Sequence, residues 1–231
     1  MTDFPRYAIY YSPAAQTPLA RFGATMLGYD AFSAQDVPFP AEVAAAFEDW
    51  PELTAAPRKY GFHATMKAPF ALAPDRDEAA LLAAFDRFAA MPRVIPTIVP
   101  VVLAISGFIA VVPAEPSADL RALAQDCVEA FEGFRAPMNP ADRARRKPEL
   151  LTPRQVEQLD RFGYPYVRDD FRFHMTLTGR LPRERSADVL AQLQAQFAAL
   201  ALSTLRIDRI VLFRQADAPS RFRVLREATL N

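Results

Sequence analysis

The chain has 231 residues, 51 % hydrophobic and 23 % charged, with 27 basic and 27 acidic side chains that cancel to a net charge of zero. That suits a soluble, well-packed globule of one large or two small domains, with enough apolar surface for a sizeable core. The charge balance argues against a protein built to grip long nucleic acid, and a single cysteine, Cys127, excludes disulfides and cysteine-based metal sites within one chain.

In chain order, residues 1–6 lack a charged stretch followed by an apolar one, so no signal peptide is expected and a cytoplasmic location is. Residues 6–11 read as a first strand, ended by Ser12-Pro13. A helix over 19–27 stops at Gly28, residues 30–40 are loop-like, and 41–48 form a short helix. Residues 59–70 read as a strand and 75–90 as an amphipathic helix with Leu81, Leu82, Phe85 and Phe88 inward. The apolar run 94–112 is the one candidate membrane span. Pro96, Pro100 and Ser106-Gly107 break it into a hairpin of 94–104 and 108–112, so no membrane association is expected.

The second half follows a similar order. A helix over 117–132 carries Cys127 on its apolar stripe, which makes that thiol a core residue. A Pro- and Arg-rich loop over 135–150 precedes a short helix at 153–162, a strand at 171–181 and a long helix at 182–200. Strands near 205–214 and 221–228 close the chain. Each half thus runs strand, helix, two strands. That order predicts one α+β unit of two similar lobes, with approximate halves 1–112 and 117–231, each an antiparallel sheet with helices on one side.

The only two histidines fall in matching contexts, Phe62-His63-Ala64-Thr65 and Phe173-His174-Met175-Thr176, 111 residues apart. On a strand, side chains alternate faces. His63, Thr65 and Lys67 therefore share one face, and Arg172, His174, Thr176 and Thr178 share another, each backed by an apolar face. Burying both polar faces predicts that they confront each other across a groove. Imidazoles titrate near neutral pH, so one can remove a proton while the other supplies one. Hydroxyls and cations beside them suit a phosphate whose charge spreads during displacement. Two histidines without partner cysteines or an obvious carboxylate motif are too few for a metal site, so no metal or cofactor is expected.

Two His-x-Thr motifs on strands, one per half, resemble the two-histidine (2H) phosphoesterase superfamily. That group includes RNA 2′,3′-cyclic phosphodiesterase/ligase-like proteins and cyclic nucleotide phosphodiesterases. Arg6-Tyr-Ala-Ile-Tyr-Tyr11, the run from Arg58 to Phe70 and the run from Phe171 to Gly179 are similar to a bacterial branch labelled as phosphonate-metabolism proteins of unknown function. The resemblance covers essentially the whole chain. It implies a bilobal, LigT-like duplicated fold with a central groove and metal-independent phosphoester chemistry. His63 and His174 would be the acid/base pair, and Thr65 and Thr176 would hold phosphate oxygens.

Other residues are candidates for the substrate. Arg143, Arg146 and Lys147 lie in the cationic loop between the halves and suit phosphate contacts. Tyr60, after Arg58, could stack on a base or sugar. Three functions compete: hydrolysis of a small cyclic or linear phosphodiester, action on the 2′,3′-cyclic end of an RNA, and non-catalytic recognition of a phosphorylated metabolite. The lack of a basic excess favours the small substrate.

Overall fold

The computed structural model describes residues 4–231. The first three residues of the segment read for a signal peptide lie outside it. The elements are β1 (Arg6–Tyr11), α1 (Pro18–Leu27), β2 (Tyr29–Asp30), β3 (Gln35–Asp36), α2 (Ala41–Ala46), α3 (Trp50–Leu53) and α4 (Ala55–Arg58). There follow β4 (Ala64–Ala71), α5 (Glu78–Ala90), β5 (Thr97–Ile98), β6 (Pro100–Ile105), β7 (Phe108–Pro113) and α6 (Ala118–Ala130). The remainder is α7 (Pro140–Arg145), α8 (Pro153–Phe162), β8 (Met175–Thr176), α9 (Arg183–Ala198), β9 (Leu205–Arg206), β10 (Arg209–Gln215) and β11 (Arg223–Thr229). No helix among the described residues is long and apolar enough to cross a membrane.

Local signals set most helix ends. Thr17, Asp77 and Ser117 accept from the backbone N–H of the third residue of α1, α5 and α6, satisfying donors that the first turn leaves unpaired. Thr152 and Gln155 form a reciprocal capping box on α8, and Gly28 and Gly163 end α1 and α8 in the left-handed region. Short elements interrupt the expected loops: the β2–β3 pair falls near 30–40, and α7 within 135–150.

The architecture is mixed α+β, and its strands are antiparallel. One sheet holds seven strands in the order β11-β10-β1-β4-β8-β7-β6. The expected two separate sheets are therefore joined, through the pair Ala64–Met175 between β4 and β8. The hairpins also change sides. The β6–β7 hairpin, from the first half, pairs with β8, while β10 and β11, from the second half, extend the sheet beyond β1. Long-range pairing decides this, and strand order along the chain does not encode it.

One sheet face carries Ile9, Tyr11, Met66, Val111, Met175, Ile210 and Leu212 into the main core, with Leu81 and Phe85 of α5, Leu123 and Cys127 of α6 and Leu193 of α9. Burial raises the Cys127 thiol pKa far above its ordinary value, which fits the expected inert core cysteine. The other face carries Ala8, Tyr10, Val211 and Phe213, partly covered by Tyr29, Ala31 and Phe222. This second face is where the histidines lie.

A β-bulge changes which side chains reach it. Tyr10 pairs with Thr65, but the next partner of β1 is Ile9 with Lys67. Met66 is the extra residue, so alternation slips and Met66 and Lys67 both turn to the helix-covered face. Lys67 is only 2 % exposed. Its ammonium donates to the Val128 carbonyl at 3.1 Å and pairs with Glu132 at 2.7 Å, and burial lowers its pKa. The expected groove position of Lys67 is corrected: it is an ion-pair residue between sheet and α6. Removing the counter-charge strands a buried ammonium, so Glu132→Gln should destabilise the fold by about 2–3 kcal/mol. The double variant Lys67→Met/Glu132→Gln should recover most of that loss in a urea-unfolding comparison.

Candidate functional site

The pairing of Ala64 with Met175 builds the site. Continuing that antiparallel register one residue each way sets His63 beside Thr176 and Thr65 beside His174, all on one face. The two motifs are thus hydrogen-bonded neighbours in one sheet, not opposed across a gap as the sequence suggested. A local twofold through the Ala64–Met175 pair exchanges the histidines. They line a cavity of about 380 Å³ together with Thr65, Thr176, Tyr10, Tyr60, Phe108, Arg6, Arg146, Tyr164 and Arg180.

Each ring is held the same way. His63 Nδ1 lies 2.9 Å from the Gly61 carbonyl and His174 Nδ1 lies 2.7 Å from the Arg172 carbonyl. A carbonyl only accepts, so each Nδ1 carries the hydrogen and each Nε2 keeps its lone pair. Thr65 Oγ1 is 3.4 Å from His63 Nε2 and can donate to it. Aromatic rings fix the tilt: Tyr10 stacks on His63 at 3.8 Å, and Phe108 lies 5.6 Å from His174. Phe62, on the opposite face, fills the space that a side chain at position 23 would need; a Cβ on Gly23 would fall 2.0 Å from its ring. Gly61 adopts φ +73°, and a Cβ there would meet Ala31 at 2.7 Å. Glycine at 61 is therefore what lets the carbonyl turn toward His63.

Burial lowers the pKa of both histidines. It takes His63 to about 4, against the hydrogen bond to Gly61 and with a smaller contribution from charge on His174; His174 is lowered in the same direction. Both imidazoles are neutral at pH 7 in the free protein. Among the described residues, no three His, Cys, Asp or Glu side chains converge in a metal-holding group.

The other sequence candidates divide. Thr178 and Tyr60 line the cavity, though the Thr178 hydroxyl, buried, accepts the Ile109 N–H at 3.0 Å and ties β7 to the second motif. Tyr60 stacks on Phe222 at 5.1 Å and lies tilted to the His63 ring at 6.1 Å. Arg146 lines the cavity beside the Tyr164 ring. The expected side-chain role of Arg172 is not found: the side chain is exposed outside the lining, and only its carbonyl serves the site. Arg143 also turns away, forming a two-pronged pair with Asp160 at 2.6 and 3.0 Å. Lys147, in the left-handed region, starts a 3-10 turn and is not in the lining. Arg58 clamps the carbonyls of Leu27 and Pro51 and so shapes the wall without lining it. Sequence reasoning missed Arg6, Tyr10, Phe108 and Tyr164. Their signal was weak: each sits in an ordinary apolar or turn context, and long-range pairing alone brings them in.

With this geometry in place, comparison with known proteins is informative. The family described as "Protein of unknown function (DUF1045)" matches residues 65–223, which include the whole second motif. The chain belongs to this DUF1045 family. Two similar proteins carry the name ribose 1,5-bisphosphate phosphokinase PhnN. One, from Janthinobacterium sp. (strain Marseille), is 36 % identical over 91 % of this chain and 47 % of its own length. The other, from Laribacter hongkongensis (strain HLHK9), is 32 % identical over 96 % of this chain and 51 % of its own. The DUF1045 chain spans about half the length of these curated relatives. A crystal structure of a conserved protein of unknown function from Agrobacterium tumefaciens str. C58 aligns with a TM-score of 0.46 at 12 % identity, over 96 % of this chain and 85 % of that one.

The histidine pKa values carry a stability consequence. Below about pH 6.5 the unfolded chain binds protons that folded His63 refuses, so stability is full above that pH and falls on acidification toward pH 4. The shift corresponds to about 3 kcal/mol for His63. Thermal unfolding from pH 7 to 4 should show a shallower loss in His63→Gln than in the parent. A parent and variant with parallel pH dependence would remove this account of His63.

Proposed function

We propose that this DUF1045 chain is a metal-independent phosphoesterase acting on a small cyclic phosphodiester. The observation that carries the reading is the register that sets each histidine beside the other motif's threonine, with both Nδ1 atoms tied to carbonyls so that both Nε2 atoms keep a lone pair on the cavity side, the one on His63 within 3.4 Å of the Thr65 hydroxyl. A phosphoryl group placed between the motifs would meet two hydroxyls and two imidazoles. Its negative charge raises the pKa of the nearer imidazole, so binding loads one histidine with a proton while the other stays neutral. The neutral Nε2 takes the proton of the attacking water or hydroxyl as the new P–O bond forms. The protonated Nε2 gives its hydrogen to the leaving oxygen as the old P–O bond breaks.

The order of elements supports a duplicated, bilobal reading of the fold as one domain. β1-α1-β4-α5-β6 and β7-α6-β8-α9-β10 follow the same sequence of strand and helix, and the sheet order β10-β1-β4 mirrors β6-β7-β8. We assign the arrangement to the LigT-like, two-histidine type on that basis, together with the motifs.

The relatives' printed name narrows the substrate. A phosphokinase acting on ribose 1,5-bisphosphate needs a supply of a pentose carrying two phosphoryl groups. Opening a cyclic phosphate on a pentose phosphate is a reaction that could supply it, and this link would place the chain in phosphonate metabolism. The chain contains no Gly-x4-Gly-Lys-Ser/Thr phosphate loop, so we assign it a step beside the kinase step.

The test is turnover of cyclic phosphodiesters, including ribose 1,2-cyclic phosphate and nucleoside 2′,3′-cyclic phosphates, with chelator present. His63→Ala and His174→Ala should each lower kcat by about 10²–10⁴-fold with unfolding midpoints near the parent's. Turnover that survives in either variant would exclude the two-histidine mechanism. Carbon-13 titration of the imidazoles gives an independent check. Both should titrate below 6.5 in the free protein, and saturating inorganic phosphate should move at least one upward.

A further inference from the structure

A second cavity, of about 260 Å³, adjoins the histidine cavity. Arg6, Tyr60, Pro69 and Arg146 line both. Its other walls are Phe70 and Ala71 of β4 and the segment 135–146 with Gly163. That segment is fastened to the end of β4 by Ala136 N–H to the Ala71 carbonyl at 2.9 Å and Ala73 N–H to the Phe134 carbonyl at 2.9 Å.

The charges around this space are unbalanced at one point. Arg135 is paired with Glu132, and Arg145 with Asp142. Among the described residues, no carboxylate forms a salt bridge with Arg6 or Arg146. Arg6 is instead held by a neutral group: its Nε and Nη2 donate to Gln215 Oε1, and its guanidinium lies over Phe222. Gln215 is fully buried and is oriented by its own Nε2–H bond to the Ser220 carbonyl at 2.7 Å. Two of the five guanidinium hydrogens are thus used for positioning, and three remain. Burial lowers the Arg6 pKa, and like charge on Arg146 and Arg145 adds to that effect. Arg6 and Arg146 line this cavity together, and the carboxylate in its lining, Asp142, is paired with Arg145, so the two remaining cations form an anion site.

We propose that Arg6 and Arg146 form a second phosphoryl-binding subsite, so that the substrate carries a phosphate monoester in addition to the scissile diester. Gln215 is the positioning residue for this subsite: a neutral amide fixes the Arg6 fork without cancelling its charge. Arg6 lies four residues along β1 from Tyr10, which pairs with Thr65, so the backbone positions are ~13 Å apart. The Arg6 fork is held on Gln215 of β10, which lies on the far side of β1 from β4, so the two phosphoryl positions are separate points in the adjoining cavities. The inference deepens the phosphoesterase reading and rests on it for the identity of the first position.

Calorimetric binding of ribose 1-phosphate and ribose 1,5-bisphosphate tests it without turnover. In the parent, the second phosphate should tighten binding by about 10-fold or more. Arg146→Gln, at an exposed position where the side chain loses only its contact over the Tyr164 ring, should cut that gain below about 3-fold. Gln215→Glu should do the same by neutralising Arg6. Equal affinity for the two ligands in the parent, no detectable binding of either, or a gain that both variants retain overturns the subsite. A parent that cleaves cyclic phosphodiesters yet shows no gain loses the subsite alone. A parent that shows the gain but cleaves none keeps the subsite and loses the phosphoesterase reading.

Discussion

One backbone pairing, Ala64 against Met175, governs the molecule. It joins a four-stranded and a three-stranded arrangement into one sheet and places both histidines and both threonines on one face at neighbouring positions. Because the contact is antiparallel, it imposes a local twofold, and each histidine stands opposite the other motif's threonine in the register. The rest of the structure serves that contact from both faces. Below it, Met66, Met175, Val111 and α6 make a dry support. Above it, Tyr10 and Phe108 set the ring planes, and the carbonyls of Gly61 and Arg172 set the tautomers. Preorganisation of this sort matters because displaced charge must meet groups that are already oriented.

Much of the candidate site was legible in the sequence because its cause is local. Alternation along a strand puts His63 with Thr65 and His174 with Thr176 whatever the partners are, and the structure keeps both pairs together. The end of α1 at Gly28 was readable for the same reason. Lys67 was misplaced because a single extra residue in β4 inverts the alternation, and a bulge leaves no mark in composition. Arg143 was misplaced because its partner, Asp160, sits one helix away and competes with the groove. Arg6 stayed hidden since its significance depends on Gln215, 209 residues later.

The two inserted regions explain how one support can carry a specific site. Between α1 and β4 the chain adds β2, β3 and three short helices; between α6 and β8 it adds α7 and α8. The first brings Tyr60, the second Arg146 and Tyr164. These walls differ although the sheet beneath them is nearly symmetric. Under the phosphoesterase reading proposed above, a symmetric floor would treat either orientation of a phosphodiester alike, and the unequal walls would choose between them.

The exchanged hairpins have an evolutionary consequence. If β1–β6 and β7–β10 are taken as the two repeats of the proposed duplication, each ends on a strand that completes the other's side of the sheet: β6 lies beyond β7, which is next to β8, and β10 lies next to β1. The short segments leading into those strands, β5 and β9, also pair with each other. A half-length ancestor with this element order would have no self-contained sheet, and two copies related by a twofold would rebuild both the sheet and the paired motifs. On the duplicated reading proposed above, the tight turn at Ser106-Gly107, between β6 and β7, would be the join between the two repeats. Fusion would have converted a concentration-dependent dimer into a single chain and freed its two walls to diverge.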